Sequence, residues 1–194
     1  MRSSRYFIIE APETHKEKEG DIILAVSFEN QQKVRQFQKI VSVPDRYKGK
    51  VSNGDLLCIH FNVLRFEKKD GVKTPSPNHL KDDFYYVPDT MAHFAIRKDG
   101  SLFFIKDDCI VEGKIGRDEI VTDGGIILPD VRNVMEKKAD EMDGYIYAKA
   151  DGLDDIEVGD KVHMAGYSDY EIEFPDGKKR WLVPYRSLLF KYEV

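Results

Sequence analysis

Three short patterns occur twice in this chain, in the same order, and this duplication constrains the fold more than any other feature. Gly20-Asp21-Ile22-Ile23-Leu24 is echoed by Gly124-Gly125-Ile126-Ile127-Leu128. Val51-Ser52-Asn53-Gly54-Asp55-Leu56-Leu57 is echoed by Ile156-Glu157-Val158-Gly159-Asp160-Lys161-Val162. Tyr86-Val87-Pro88 returns as Leu182-Val183-Pro184, each followed by an apolar run, Phe94–Ile96 and Leu188–Phe190. The offsets are about 104, 105 and 96 residues, and their drift means loop insertions. The extra length falls between Asn62 and Asp83. The sequence therefore predicts two domains of one fold, 1–100 and 106–194, with an insertion at 66–83 in the first.

The local periodicity is that of strands. Brief runs rich in Ile, Val, Phe and Tyr cover Tyr6–Glu10, Gln38–Val43, Asp55–Phe61, Phe84–Val87, Phe94–Arg97 and Ser101–Ile105. The second half repeats the theme at Cys109–Lys114, Gly144–Ala148, Lys161–Met164, Glu171–Phe174, Trp181–Val183 and Leu188–Tyr192. Asp70-Gly71, Asp99-Gly100, Asp143-Gly144, Asp151-Gly152, Gly159-Asp160 and Asp176-Gly177 supply turn signals between many of them. Regular short strands with such punctuation point to an all-β barrel or sandwich. Helical signal is confined to Asn30–Gln38 and Val131–Met142, both highly polar.

Composition excludes several function classes. The net charge of −5 argues against a binder held by nucleic-acid phosphates. The basic runs Lys16–Lys18 and Lys178–Lys179–Arg180 are too short to reverse that. Two cysteines, Cys58 and Cys109, make no disulfide framework, and the start has no apolar signal-peptide core. The longest uncharged stretch, Leu56–Leu64, is about half of what a membrane span needs. A cytoplasmic protein with free thiols is expected, without membrane or nucleic-acid partners.

No catalytic motif emerges. The five histidines, His15, His60, His79, His93 and His163, have no Cys, His or carboxylate partner at metal-ligand spacing. Cys58 and His60 alternate and could share a strand face, but two ligands make no site. Phosphate-cradling loops, nucleophile elbows and zinc-protease helices are missing. Gly54-Asp55 and Gly159-Asp160 read as tight turns, with Gly at positive φ and Asp bonded to nearby backbone. The expectation is no enzyme, no metal and no cofactor.

The two apolar triplets carry the most information. Three large aliphatics in a row follow neither helical nor strand alternation, so they are either buried on both sides or offered to a partner. Polar and charged sequence surrounds both copies. The plain alternative is an ordinary buried strand, duplicated with the rest.

Residues from about Asp107 to Val194 resemble a subunit of the GroES-type co-chaperonin family from end to end. In that family an opening strand leads into a flexible loop with a Gly-Gly-Ile-Val-Leu-like segment, matched by Asp108–Lys114 and Gly124–Leu128. A strand opening with Gly follows, matched by Gly144–Ala148. The family's V-x-V-G-D-x-V signature is met by Ile156–Val162, and its closing strands by Trp181–Pro184 and Ser187–Glu193. The first repeat, Tyr6 to about Ile96, is similar but more divergent, with one Gly before its triplet. Both repeats are short at Val43–Val51 and Ala150–Ile156, where the family's roof hairpin belongs. Phage co-chaperonins are similar in lacking it.

The resemblance implies two tandem GroES-like β-barrel domains with long loops, assembled as a homo-oligomeric ring. It implies a co-chaperonin that caps a GroEL-type chaperonin, which binds the ATP or ADP, and assists folding of an enclosed unfolded protein. The location is then cytoplasmic, the host cytoplasm for a phage protein. The implied partner-binding residues are Ile22, Ile23, Leu24, Gly124, Gly125, Ile126, Ile127 and Leu128. Burying one such side chain contributes about 1.5–3 kcal/mol. Ordering the loop costs about 1–2 kcal/mol per residue fixed, so each loop binds weakly and several on one ring bind by avidity. The family ring is seven-fold, and whole two-domain chains cannot fill an odd ring without a domain left over. The competing expectation is the same fold reused as a structural ring or adaptor, for example in a virus particle.

Overall fold

A computed structural model of the chain describes residues 3–12, 18–19, 22–23, 34–69, 72–113, 120–121, 127–128, 143–165 and 170–192. Two compact units are present. The first is Met1–Lys106 with Glu173–Gly177, and the second is Asp107–Ile172 with Lys178–Val194.

Every regular element among the described residues is a strand or a single 3-10 turn. In the first unit the strands are β1 (Phe7–Glu10), β2 (Lys18–Glu19), β3 (Ile22–Ile23), β4 (Phe37–Ser42), β5 (Leu56–Ile59) and β6 (Phe66–Lys69). They continue as β7 (Val72–Pro75), β8 (His79–Lys81), β9 (Phe84–Val87), β10 (Ala92–Ile96) and β11 (Leu102–Phe104). The next four are β12 (Asp108–Glu112), β13 (Ile120–Val121), β14 (Ile127–Leu128) and β15 (Asp143–Lys149). The last four are β16 (Lys161–Met164), β17 (Tyr170–Glu173), β18 (Lys179–Pro184) and β19 (Leu188–Lys191).

The duplication read from the sequence is a duplication of topology. The first sheet has the order β11-β10-β5-β4-β1-β9-β8, and the second has β19-β16-β15-β12-β18-β17. Removing β11 makes the two orders correspond strand for strand. The irregularities correspond as well. The ladder of β1 with β4 shifts register between Ile8 and Ile9, and that of β12 with β15 between Ile110 and Val111. Such bulges bend a strand and raise its twist, so a matched pair gives both sheets the same local curl. A 3-10 turn follows Pro88 at Asp89–Met91 and Pro184 at Tyr185–Ser187.

Burial explains the strand sequences. β1 and β12 lie inside their sheets and are covered on both faces, so Phe7-Ile8-Ile9 and Cys109-Ile110-Val111 are unbroken apolar runs. β4 alternates instead, with Gln38, Ile40 and Ser42 buried and Lys39 exposed. The first core gathers Phe7, Ile9, Ile40, Leu57, Ile59, Val87 and Ala95. In the second unit Ile110, Ile146, Val162, Met164, Ile172 and Val183 are almost fully buried.

Both Gly-Asp pairs are turns of one construction. Gly54 has φ 91° and Gly159 has φ 95°, a region that costs other residues steric strain. The Asp55 carboxylate accepts from Ser52 N at 2.8 Å, and that of Asp160 accepts from Glu157 N at 2.8 Å. Gly54 N donates to Ile40 O at 2.7 Å and Gly159 N to Ile146 O at 2.8 Å. Gly54→Ala should cost about 1–2 kcal/mol in a urea melt through the positive φ alone. An added Cβ meets the end of the flexible Lys98 side chain, Cε at 3.1 Å and Nζ at 3.3 Å, so steric exclusion adds little.

Three sequence expectations are corrected. The sheets are open: β8 and β11 are the edges of one, β17 and β19 of the other, and among the described residues no ladder closes either into a barrel. The edge strands are three or four residues long, too short to bridge a gap with a ladder of their own. The polar run ending at Gln38 is no helix where described, because Phe37 opens β4 and its alternate residues face the core. Val131–Met142 lies outside the described residues. Asp143-Gly144, expected as a turn, opens β15. The insertion at 66–83 holds a hairpin, β6 with β7, and the edge strand β8. Neither Val43–Val51 nor Ala150–Ile156 contains a strand pair; a 3-10 turn at Asp45–Tyr47 and plain turns take their place.

One half-buried group makes the first unit sensitive to acid. His60 stacks on Phe61 at 4.3 Å and lies 6.2 Å from the ring of His93. Burial, reinforced by the positive potentials of His93 and Lys106, pushes its pKa down to about 4. The unfolded chain therefore takes up this proton first. Stability should be complete above about pH 6.5 and fall as pH drops toward 4. The expected loss is about 1–2 kcal/mol once the solvent-facing half of the ring is allowed for. Urea titrations at stepped pH check this, and His60→Gln should flatten the dependence in that window.

Candidate functional site: two apolar hairpins and their roots

The apolar triplets fall in small ladders of their own. Ile22 and Ile23 form β3, paired among the described residues with β2 through Lys18↔Ile23 and Glu19↔Ile22. Ile127 and Leu128 form β14, paired among the described residues with β13 through Ile120↔Leu128 and Val121↔Ile127. Neither ladder joins the seven- or the six-stranded sheet. The first hairpin interrupts the connection from β1 to β4, and the second interrupts the equivalent connection from β12 to β15. Leu24, Gly124, Gly125 and Ile126 lie outside the described residues.

A two-residue ladder holds few hydrogen bonds, and an isolated hairpin is marginal in water. Its apolar residues therefore gain most from a surface they can lie against. This is the physical sense in which the pairs Ile22-Ile23 and Ile127-Leu128 suit docking: short, extended and repeated.

The two units anchor these connections differently. The first root is aromatic, with Phe37 opposite Cys58 and edge-on to Phe94 at 5.9 Å. At the matching register position of the second root stands Asp143, opposite His163. Its Oδ1 lies 2.7 Å from His163 Nδ1, and Lys161 Nζ is 3.1 Å from Oδ2. The Tyr192 hydroxyl donates to both oxygens, at 3.0 and 2.9 Å. His163 in turn stacks on Phe190 at 4.7 Å, and Lys161 sits 4.4 Å above the Tyr192 ring. Burial opposes the charge on Asp143, but the hydrogen bonds from His163, Tyr192 and Lys161 outweigh it and hold the carboxyl below its usual range. Strands β15, β16 and the segment after β19 are thus tied at one carboxylate.

Sequence reasoning missed this cluster, because Asp143 and Tyr192 are 49 residues apart and only the sheet register joins them. The Gly-Asp repeat was the one available signal. Its offset of 105 residues pairs Asp143 with Gln38; the ladders pair it with Phe37 instead, because the second unit is one residue shorter between this strand and its Gly-Asp turn.

Cys58 and Cys109 are buried free thiols, and burial together with neighbouring Asp108 pushes Cys109 up to about 12. A thiol so protonated is a poor nucleophile. His60 sits past the end of β5 at the start of a 3-10 turn, accepting from Asn62 N at 3.2 Å, so it shares no strand face with Cys58. Among the described residues no group of three His, Cys, Asp or Glu side chains is placed to hold a metal ion. No helix among them is long and apolar enough to cross a membrane. Neither a protein-family model nor a curated protein matches the chain.

Proposed function

We propose that this chain is a tandem GroES-like co-chaperonin. Its apolar hairpins dock on a GroEL-type chaperonin, cap the cavity and so assist ATP-dependent folding of the enclosed protein, with nucleotide bound by the partner. The observation that carries the reading is the duplicated apolar pair. Ile22-Ile23 and Ile127-Leu128 occupy the same connection of the same strand order, each in a ladder apart from the main sheet. Extended apolar pairs on several subunits bind weakly one by one and tightly together. That property lets a cap close and then leave when the chaperonin changes nucleotide state.

Assembly into a ring has support of its own. In the first unit β10 is covered by β11, whereas its counterpart β19 is a sheet edge. That edge carries Leu189 at 59% and Phe190 at 51% exposure. An open edge with apolar side chains is a template for pairing with another chain.

Co-sedimentation with a GroEL-type chaperonin, with and without ADP, tests the reading, with ATPase inhibition followed in parallel. Nucleotide-dependent binding is expected. If no chaperonin binds while the protein still forms oligomers, the alternative reading takes over, a structural ring or adaptor built on this fold.

A further inference from the structure

The turns that link β4 to β5 and β15 to β16 are equivalents in the two units, ending in the matched Gly-Asp pairs, yet they carry opposite charge. Residues 44–51 hold Arg46, Lys48 and Lys50 against Asp45 alone. Residues 150–157 hold Asp151, Asp154, Asp155 and Glu157 and no cation. Every one of these charged side chains is exposed.

The basic turn belongs to a larger built surface. Arg46 lies 5.0 Å over the ring of Tyr47, which meets Phe103 edge-on at 6.0 Å. Phe103 in turn carries Arg97 at 5.4 Å and Lys50 at 5.7 Å. Arg46 donates to Arg5 O at 2.7 Å, and Arg97 donates to Lys50 O at 2.7 Å. With Lys48 and Lys98 this makes six cations against Asp45, Asp89 and Asp99, in a chain that is net acidic. Asp89 is paired with Arg46 and Asp45 with Lys48. Lys50, Arg97 and Arg5 keep to aromatic rings, which leaves their charge outward and their side chains already ordered.

We propose that the acidic turn 151–157 of one copy docks on this basic aromatic surface of another copy. The partner is chosen by charge complementarity and by position: the same turn of one fold is positive in one unit and negative in the other. A surface of that kind orients approach and selects head-to-tail contact, because like turns repel. Val158, 66% exposed beside the acids, offers the docking turn an apolar contact. The inference rests on the ring in the reading above but not on the chaperonin. It is independent of the Asp143 cluster.

The test uses sedimentation velocity on the full chain and two variants. In the first, Lys48→Glu, Lys50→Glu and Lys98→Glu make both surfaces acidic. In the second, Asp151→Lys, Asp154→Lys and Glu157→Lys make both basic. Wild type should associate at low salt and dissociate as salt rises. Each variant alone should associate at least ~100-fold more weakly. Circular dichroism should match wild type in both, since all six residues are exposed. Mixed in equal amounts, the two variants should assemble with each other, which no contact within one chain would produce.

The inference falls, with the ring intact, if wild type and both variants associate alike at every salt concentration. It also falls if the mixture stays dissociated. A wild type that remains a single chain throughout overturns both the inference and the ring. Salt-sensitive capture of a single-stranded oligonucleotide by such a single chain, lost in the Lys→Glu variant, would reassign the basic surface to nucleic acid.

Discussion

Replacing Ile126 and Ile127 together by serine is expected to weaken capture by a GroEL-type chaperonin at least ~100-fold while leaving the urea melt of the free protein within about 1 kcal/mol of wild type. Each isoleucine buried in a partner groove contributes about 1.5–3 kcal/mol, and serine retains almost none of it. The loss recurs at every subunit, so avidity amplifies it. The free fold is spared at Ile127 because, among the described residues, β14 pairs with β13 and takes no part in the six-stranded sheet; Ile126 lies outside the described residues. Pull-down with ADP-loaded chaperonin reads the binding, and the melt reads the fold. Capture that survives the double change would remove this segment from the docking surface. The matching change, Ile22→Ser with Ile23→Ser, tells whether both units dock or only the second.

Asp143→Ala should destabilise the second unit by about 2–4 kcal/mol, the largest effect expected from any single polar residue outside the core. Asp143 is 6% exposed and has three partners, Lys161 and His163 on β16 and Tyr192 just after β19. Removing it takes the shared acceptor away from the partly buried His163 ring and from the Tyr192 hydroxyl, and an acceptor lost at a buried position costs more than the bonds themselves are worth. The pH dependence separates this from simple loss of packing. A carboxyl held below its usual range stabilises fully above about pH 4, its unfolded range, and the contribution disappears as pH falls through the lower folded value. Wild type should therefore lose this part of its stability only in strong acid. Asp143→Asn, which keeps the shape, should be less stable at neutral pH and approach wild type as the medium is acidified. A constant gap between Asn and wild type across that range would mean that the ion pairing contributes nothing.

The strands were legible because the pattern of burial is written in them. Lys161–Met164 alternates at period two and forms β16 over those same residues. Phe7-Ile8-Ile9 and Cys109-Ile110-Val111 do not alternate, and they lie in strands covered on both faces. The Gly-Asp turns were legible for a different reason, since positive φ at Gly54 and Gly159 leaves few residues acceptable there. The hairpin β6–β7 escaped notice: Phe66–Lys69 and Val72–Pro75 are mostly charged or polar, and such a composition leaves no hydrophobic period to read. Closure of the sheets was equally invisible. It depends on whether edge strands meet, and β8, β11, β17 and β19 carry no residue that announces an unpaired side.

What the amino-acid order determined by itself was local and repetitive: short strands, glycine turns, and two copies of one arrangement. Those properties rest on nearest-neighbour sterics and on burial alternating along a strand, which act over a few residues. Only the tertiary structure decided which side chains meet across strands. It set Asp143 against His163, Lys161 and Tyr192 where the other half has Phe37, Cys58 and Phe94. It also turned four acidic residues and three basic ones, ordinary as loop sequence, into equivalent turns of opposite sign. Such pairings depend on ladder register, and register is fixed by the whole sheet, since moving a strand by one residue would turn every buried side chain to the wrong face.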